Sequence, residues 1–474
     1  MRNTEEIWRL IDAHGAEFAA FSDRIWGMPE LAYAEHRSCA EHTEMLRAQG
    51  FRVTEQFSGL PTAVMGEAGE GGPVIAILGE YDALPGLSQV AGVAEKQPLD
   101  AHGFGHGCGH NLLGAASLLA ATAVKEYLAA HNLPGRVRYY GCPAEEGGAA
   151  KAFMVRDGAF KDVDIAITWH PSSFSGVYEP VSLANTRIDF SFAGRASHAA
   201  ASPHLGRSAL DAVELMNVGV NYMREHMPDD ARIHYAYLDA GGIAPNVVQA
   251  SAKVRYLIRA RELPELQRLI ARVRKIADGA ALMTETTVTA KVISGVSNLL
   301  PNTPLEQALF DNYTRLGPPE FDAADRAMAE KFRATMSAED IAAAYRRAGI
   351  PERADEPLCA QIIPLGARGS GGNGSTDVGD VSWAVPLVQA RGAVYAVGTP
   401  GHSWQLTAQG KLPAAHKGMV HVAKAMAGTA VDALCDPTLI ARAKEDHQKR
   451  LARTPYECPI PADVDPPFDM STAT

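Results

Sequence analysis

The chain has 474 residues, 46% hydrophobic and 21% charged, with a formal net charge of -11. That is the composition of an ordinary globular protein of two or more domains, neither disordered nor collagen-like. The negative balance argues against a general nucleic-acid surface.

The first twenty residues carry Arg2, Glu5, Glu6, Arg9, Asp12 and Glu17 without an apolar core, so no secretory signal is visible there. Leu112 to Val124 is the longest nearly apolar run and, too short to span a bilayer, reads as part of a buried helix. Cysteines at 39, 108, 142, 359, 435 and 458 are scattered with no Cys-x-x-Cys pair. They form no disulfide framework, which fits a reducing cytoplasm.

Residues 3 to 21 predict a helix with Ile7, Leu10 and Ile11 on one face, and Ser38 to Ala48 a second helix ended by Gly50. Phe51–Val53 and Thr62–Met65 are short strand candidates. Residues 73–78 form a continuous apolar run, as expected of a strand covered on both faces, and deliver Glu80 and Asp82 at its C-terminal end. The turn His106-Gly107-Cys108-Gly109-His110-Asn111 precedes a helix over 112–130. Strand 136–141 leads into Pro143-Ala-Glu145-Glu146-Gly-Gly148, and strand 163–168 into Trp169-His170-Pro171. Strands alternating with helices, with polar residues at strand C-termini, predict a doubly wound α/β domain with its site at one edge of the sheet.

From about residue 184 the pattern changes to strand 187–192, a helix from the capping signal Ser208-x-x-Asp211 to about 225, strand 250–260, a helix with Leu266, Leu269, Ile270, Val273 and Ile276 in one stripe, and strand 286–293. This predicts a small ferredoxin-like α+β domain at 185–296, inserted between catalytic parts 1–184 and 297–474. Residues 318–370 are alanine-rich, charged and helical in places. Gly366 to Gly374 reads as a flexible loop; its formal Gly-x-Gly-x-x-Gly match lacks the long helix and acidic residue of a dinucleotide site. An apolar strand is expected near 392–397, ending close to His402.

Asp82, Cys108, His110, Glu145, Glu146, His170 and His402 thus collect at strand ends. Adjacent carboxylates are costly unless a positive charge compensates them, and a dinuclear metal centre would do so. One glutamate would then bind metal while the other serves as base, with Asp82 orienting an imidazole. The N/O/S donor mix suits Zn, Mn, Co or Ni better than Mg or Ca. A Cys108–His110 nucleophilic pair is the alternative from the same residues. Gly-x-Ser-x-Gly, His-Glu-x-x-His and Walker A sequences are absent, which disfavours serine hydrolases, zincins and P-loop enzymes.

Asp82-Ala-Leu-Pro, Gly107-Cys-Gly-His110, Pro143-Ala-Glu-Glu146, Trp169-His-Pro171, Gly194-Arg-Ala-Ser-His198 and Gly241-Gly-Ile-Ala-Pro-Asn246 stand in the order found in one family. The chain resembles the aminoacylase/carboxypeptidase-like co-catalytic metallopeptidases, in the amidohydrolase branch with the hippurate, auxin-conjugate and aminobenzoyl-glutamate hydrolases. Gly374 to Trp383 and His402-Ser-Trp-Gln405 look like C-terminal motifs of the last group, and the resemblance spans about residues 20–430. It implies Cys108 (bridging), His110, Glu146, His170 and His402 as ligands of two divalent ions, Mn or Zn, with Co or Ni as further possibilities. It also implies Glu145 as base, Asp82 as support of the metal site, and His198 polarising the carbonyl of the partner subunit's substrate. Asn246 and Arg259 would hold the substrate carboxylate. Asn111, where many relatives have Asp, and Glu80 in the first motif depart from the pattern.

The expected activity is hydrolysis of N-acyl amino acids, aromatic in the acyl part and acidic in the amino acid, such as p-aminobenzoyl-glutamate or indoleacetyl-aspartate. A broad aminoacylase or dipeptidase, or a non-catalytic metal- or peptide-binding relative, are the rivals. At least a homodimer is expected, or a heteromer with a related subunit, in the cytoplasm and without membrane or nucleic-acid partners.

Overall fold

The computed structural model describes residues 4–471 apart from 179, 354, 368 and 370–373, so most of the expected glycine loop at 366–374 lies outside the described residues. The strands of the main sheet are β1 (Arg52–Glu55), β2 (Val64–Glu70), β3 (Val74–Glu80), β4 (Gly135–Cys142), β5 (Ile165–Ser172) and β6 (Gly176–Val177). Those of a second sheet are β7 (Ala184–Ala193), β8 (Arg232–Asp239), β9 (Ser251–Ala260) and β10 (Thr287–Val296), and β11 (Leu387–Ala393) returns to the first.

Among the described residues the main sheet has seven strands in the order β1-β2-β4-β3-β5-β11-β6. Its centre, β4-β3-β5-β11, is parallel, while β1, β2 and β6 pair antiparallel at the edges. Every residue of β3 is buried, as its unbroken apolar run requires. Because the central strands are parallel, their C-terminal ends open on one side of the sheet. There Glu80 pairs with Cys142 and His170 with Arg391.

The helix His110–Ala130 packs against β3, the helix Thr4–Trp26 and the helix Pro413–Cys435. It has 21 residues, and its most apolar stretch has a mean hydropathy of 1.3, enough by length and composition to cross a bilayer. The thirteen-residue apolar run is therefore only its middle. Since 83% of that stretch is buried within the protein, its apolarity serves the core.

The second sheet runs β10-β7-β9-β8, all antiparallel, with the helices Ala209–Met223 and Leu263–Thr284 on one face. The β-α-β-β-α-β order with this arrangement is the ferredoxin-like unit expected from the sequence. The Ser208 hydroxyl caps its first helix by accepting from Asp211 N. The sequence reading did not identify β8. Most of its residues are exposed, so it lacks the alternation that marks a half-buried strand.

One correction concerns the C-terminal part. The strand expected at 392–397 is β11 at Leu387–Ala393, because Gln389 and Arg391 interrupt an apolar run that is nevertheless central in the sheet. Residues after Ala393 leave the ladder, with Val397 N bonded to Pro357 O. The alanine-rich stretch holds the helices Ala323–Arg333 and Ala338–Ala348, each opened by a capping box, on Asp322 and Ser337.

Candidate metal centre

The turn before the helix His110–Ala130 is shaped by two glycines. Gly109 has φ +82, and a Cβ there would meet Pro171 at 3.0 Å; a Cβ on Gly107 would lie 2.3 Å from Leu87 Cδ1. This tight path sets Cys108 facing His170, with Sγ and Nε2 3.4 Å apart. His170 Nδ1 donates to Pro171 O at 2.9 Å, leaving Nε2 as the ring's free lone pair.

Asp82, fully buried after β3, holds two residues with one carboxylate. His110 Nδ1 donates to its Oδ1 at 2.8 Å, and the backbone N–H of Glu146 donates to its Oδ2 at 2.8 Å. The imidazole is thereby fixed with Nε2 pointing away from Asp82. His402 comes from the loop after β11 in a left-handed conformation, φ +53, and its backbone N–H is tied to Gly107 O at 2.9 Å. Its Nε2 lies 3.1 Å from Glu146 Oε1.

These residues form two groups whose donor atoms lie within 4.8 Å of one another: Cys108, His110 and His170, and Cys108, Glu146 and His402. Cys108 belongs to both. A third group, Glu80, His110 and Glu145, overlaps the first at His110. Glu80 Oε2 stands 3.3 Å from His110 Nε2 and Glu146 Oε1 3.1 Å from His402 Nε2, so carboxylates, imidazoles and a thiol converge on one place, an arrangement that a cation would stabilise.

The electrostatics of the cluster run against ordinary values. Burial opposes the Cys108 thiolate, yet the imidazoles of His110 and His170 hold the thiol well below its usual pKa. Hydrogen bonds to Cys108 and Glu146 push His402 up to about 10. Burial, then the carboxylates of Glu80, Glu146 and Asp377, push Glu145 well above the usual carboxylate range.

Behind the cluster lies a buried ion triad that sequence reasoning missed. Lys151 Nζ lies 2.7 Å from Glu80 Oε1 and 2.7 Å from Asp377 Oδ1, with all three side chains essentially inaccessible. A lysine alone in the apolar segment Ala149-Ala-Lys-Ala-Phe-Met154 was its one sequence signal.

Cys108, Glu145, His170 and His402 line a cavity of about 500 Å³, closed from the second sheet by Arg187 and Arg259. A cavity of about 760 Å³, lined by Phe174 and Arg347 among others, adjoins it across His170, Tyr178 and Tyr395. Of the residues singled out in the sequence, Arg259 reaches the cavity, its Nη1 donating to Ser375 Oγ at 3.5 Å. His198 and Asn246 do not line it. Both are exposed on neighbouring loops, with Ala199 N bonded to Asn246 O and His198 Nδ1 accepting from Ala200 and Ala201 N–H. Within one chain, Asn246 is not brought into the cavity that holds Arg259.

The family model described as Peptidase family M20/M25/M40 matches residues 76–367. The chain is 46% identical to one of the two p-aminobenzoyl-glutamate hydrolase subunits of Escherichia coli K12, over 98% of this chain and 99% of that one. It is 31% identical to the Xaa-Arg dipeptidase of Mus musculus, over 93% and 91%. The aminobenzoyl-glutamate utilization protein from Klebsiella pneumoniae shares the fold, with a TM-score of 0.56 at 16% identity, covering 88% of this chain and 96% of that one.

Proposed function

The chain belongs to peptidase family M20/M25/M40, and on that premise we propose that it is a metal-dependent amidohydrolase of N-acyl amino acids. The substrates are aromatic acyl conjugates of acidic amino acids, of the p-aminobenzoyl-glutamate or indoleacetyl-aspartate kind. The observation that carries this reading is the pair of donor groups sharing Cys108 beside Glu145. Such a set fits two divalent ions, Mn or Zn, with Co or Ni as further candidates. His110, His170, Glu146 and His402 would hold them around a bridging Cys108. When bound, the ions polarise the scissile carbonyl and make the attacking water more acidic.

The remaining work falls to the chain's own groups. Asp82 fixes the tautomer of His110 and the backbone of Glu146 through the two bonds described above. Glu145 takes the proton of the attacking water and returns it to the amide nitrogen as the C–N bond breaks. Arg259 holds the carboxylate of the leaving amino acid in two parallel hydrogen bonds. The adjoining cavity, with Phe174, Tyr178 and Tyr395 in its walls, receives the acyl group.

His198 and Asn246 are the residues of this set that serve the neighbouring subunit, which accounts for their lying outside their own chain's cavity. The 185–296 unit is then a lid and dimerisation domain on a catalytic domain made of 1–184 and 297–474. Support comes from β8, an edge strand exposing Tyr235, Tyr237 and Leu238, next to Val218 and Tyr222 on the helix Ala209–Met223. A homodimer through this face is the assembly we favour. The Escherichia coli relative is named as one subunit of a hydrolase, which makes a related but different subunit the alternative partner. All six cysteines are unpaired, in keeping with a cytoplasmic place.

The test is amine release from a panel of N-acyl amino acids and dipeptides with each metal added to stripped enzyme. Cleavage of benzoyl- or p-aminobenzoyl-glutamate is expected. A fully metal-loaded enzyme that cleaves none of the panel would overturn the reading, and preference for dipeptides would replace it with a dipeptidase.

A further inference from the structure

The face of the second sheet that closes the cavity carries arginines in two different states. Arg255 is paired with Asp189 through contacts of 2.7 and 3.0 Å, and Lys253 adds a third at 3.2 Å. Arg187 and Arg259, on the same two strands, have no carboxylate within ion-pair distance among the described residues. Their hydrogen bonds are long and go to neutral oxygens, Gly147 O at 3.4 Å and Ser375 Oγ at 3.5 Å. Burial lowers the pKa of both; for Arg187 the charges of Arg255 and Arg259 add to this, and Asp189 offsets it only in part. Two half-buried guanidinium groups in one cavity with no carboxylate in contact are costly, and an anionic ligand would reduce the cost.

Arg187 is also placed against the catalytic turn. Its guanidinium lies over Gly147, where an added Cβ would sit 3.3 Å from both terminal nitrogens. Gly147 directly follows Glu145 and Glu146, so an anion on Arg187 is held beside the group proposed as base. Arg195 and Arg207, two further arginines of this domain, lie off the cavity, and Arg207 already pairs with Glu285 at 2.9 Å.

We infer that Arg187 and Arg259 together form a receptor for two carboxylates, Arg259 taking the α-carboxylate of the leaving amino acid and Arg187 its side-chain carboxylate. The inference rests on the amidohydrolase reading and narrows it to N-acyl glutamate and aspartate, whose carboxylates are joined by a short carbon chain. A cationic side chain on the leaving amino acid, as in an Xaa-Arg dipeptide, meets like charge at Arg187 and is rejected.

The experiment measures kcat/KM for benzoyl-glutamate and benzoyl-glutamine on the metal-loaded full chain. The wild type prefers glutamate by about 10²-fold or more, the scale of a lost charge-paired contact. Arg187→Ala brings that ratio to within about threefold of unity, chiefly through KM, and Arg187→Lys restores part of it. Arg259→Ala lowers both substrates and keeps the ratio, and Arg207→Ala leaves it at the wild-type value. Should Arg187→Ala fail to fold, inhibition of the wild type by glutarate and by butyrate decides: the dicarboxylate must act at the lower concentration. An active wild type that cleaves the two amides equally, or is inhibited equally by the two acids, overturns this inference and leaves the amidohydrolase standing. A metal-loaded enzyme inert toward every N-acyl amino acid overturns the amidohydrolase, while calorimetric binding of glutarate over butyrate still tests the arginine pair.

Discussion

Cys108 is the residue on which the two donor groups depend, since it is the one member they share. Its thiol is already acidified by His110 and His170, which favours the thiolate, the form that would hold a cation. A hydroxyl is far less acidic and a poorer bridge. Cys108→Ser should therefore lose most of its bound metal, read by elemental analysis after dialysis; full occupancy in that variant would remove Cys108 from the set. Glu145 separates binding from chemistry. Glu145→Gln keeps the shape of the turn and should keep the metal, while turnover falls by about 10²–10⁴-fold. Activity near that of the parent would make Glu145 only part of a turn. Both residues stood out in the sequence because each sits beside glycines, Cys108 in a turn before a helix and Glu145 just after a strand. Arg187 stood out no more than Arg195 or Arg207, because charge on a strand says nothing of which partner it lacks. That became visible only when Asp189 was seen to be taken by Arg255 and Lys253.

At the scale of elements, the parallel strands were legible because burial on both faces leaves an unbroken apolar run, as in β3. β8 was not identified and β11 was expected too far along the chain: one is an exposed edge, the other carries Gln389 and Arg391 in the middle of the sheet. The Lys151 triad was equally hidden, since it joins the end of β3, the helix Ala150–Arg156 and the residue that opens the helix Val378–Ala384. Sequence spacing carries no trace of three elements meeting. In that triad, Lys151 and His110 hold Glu80 below its ordinary pKa despite burial, while burial pushes Asp377 up to about 6. Removing the cation leaves two carboxylates buried together. Lys151→Met should cost about 3–5 kcal/mol in urea unfolding of the metal-free chain, the range for breaking a buried ion pair. A loss below about 1 kcal/mol would mean that the carboxylates protonate or find water without further loss.

For the molecule as a whole, the cavity is built by two sheets: one supplies the donor groups and Glu145, the other Arg187 and Arg259. His198 and Asn246 belong to the second sheet's loops and do not line this cavity, so the roles proposed for them require a neighbouring chain. Mixing two disabled variants tests whether a neighbour completes it. His198→Ala keeps its own Glu145, and Glu145→Gln keeps His198 to lend. In a heterodimer of the two, one site combines an intact Glu145 with an intact His198, and the other lacks both. If subunits exchange at random, half of the dimers are mixed, and activity should recover to about a quarter of the wild-type value from two nearly inactive proteins. The recovery should follow the rate of subunit exchange and vanish when the β8 edge is disrupted by Tyr237→Arg, which places charge on the exposed strand. A mixture shown by mass spectrometry to contain mixed dimers, but still inactive, would place His198 outside the neighbour's chemistry. Wild-type activity from a chain that sedimentation shows to be monomeric would remove the need for a neighbour altogether.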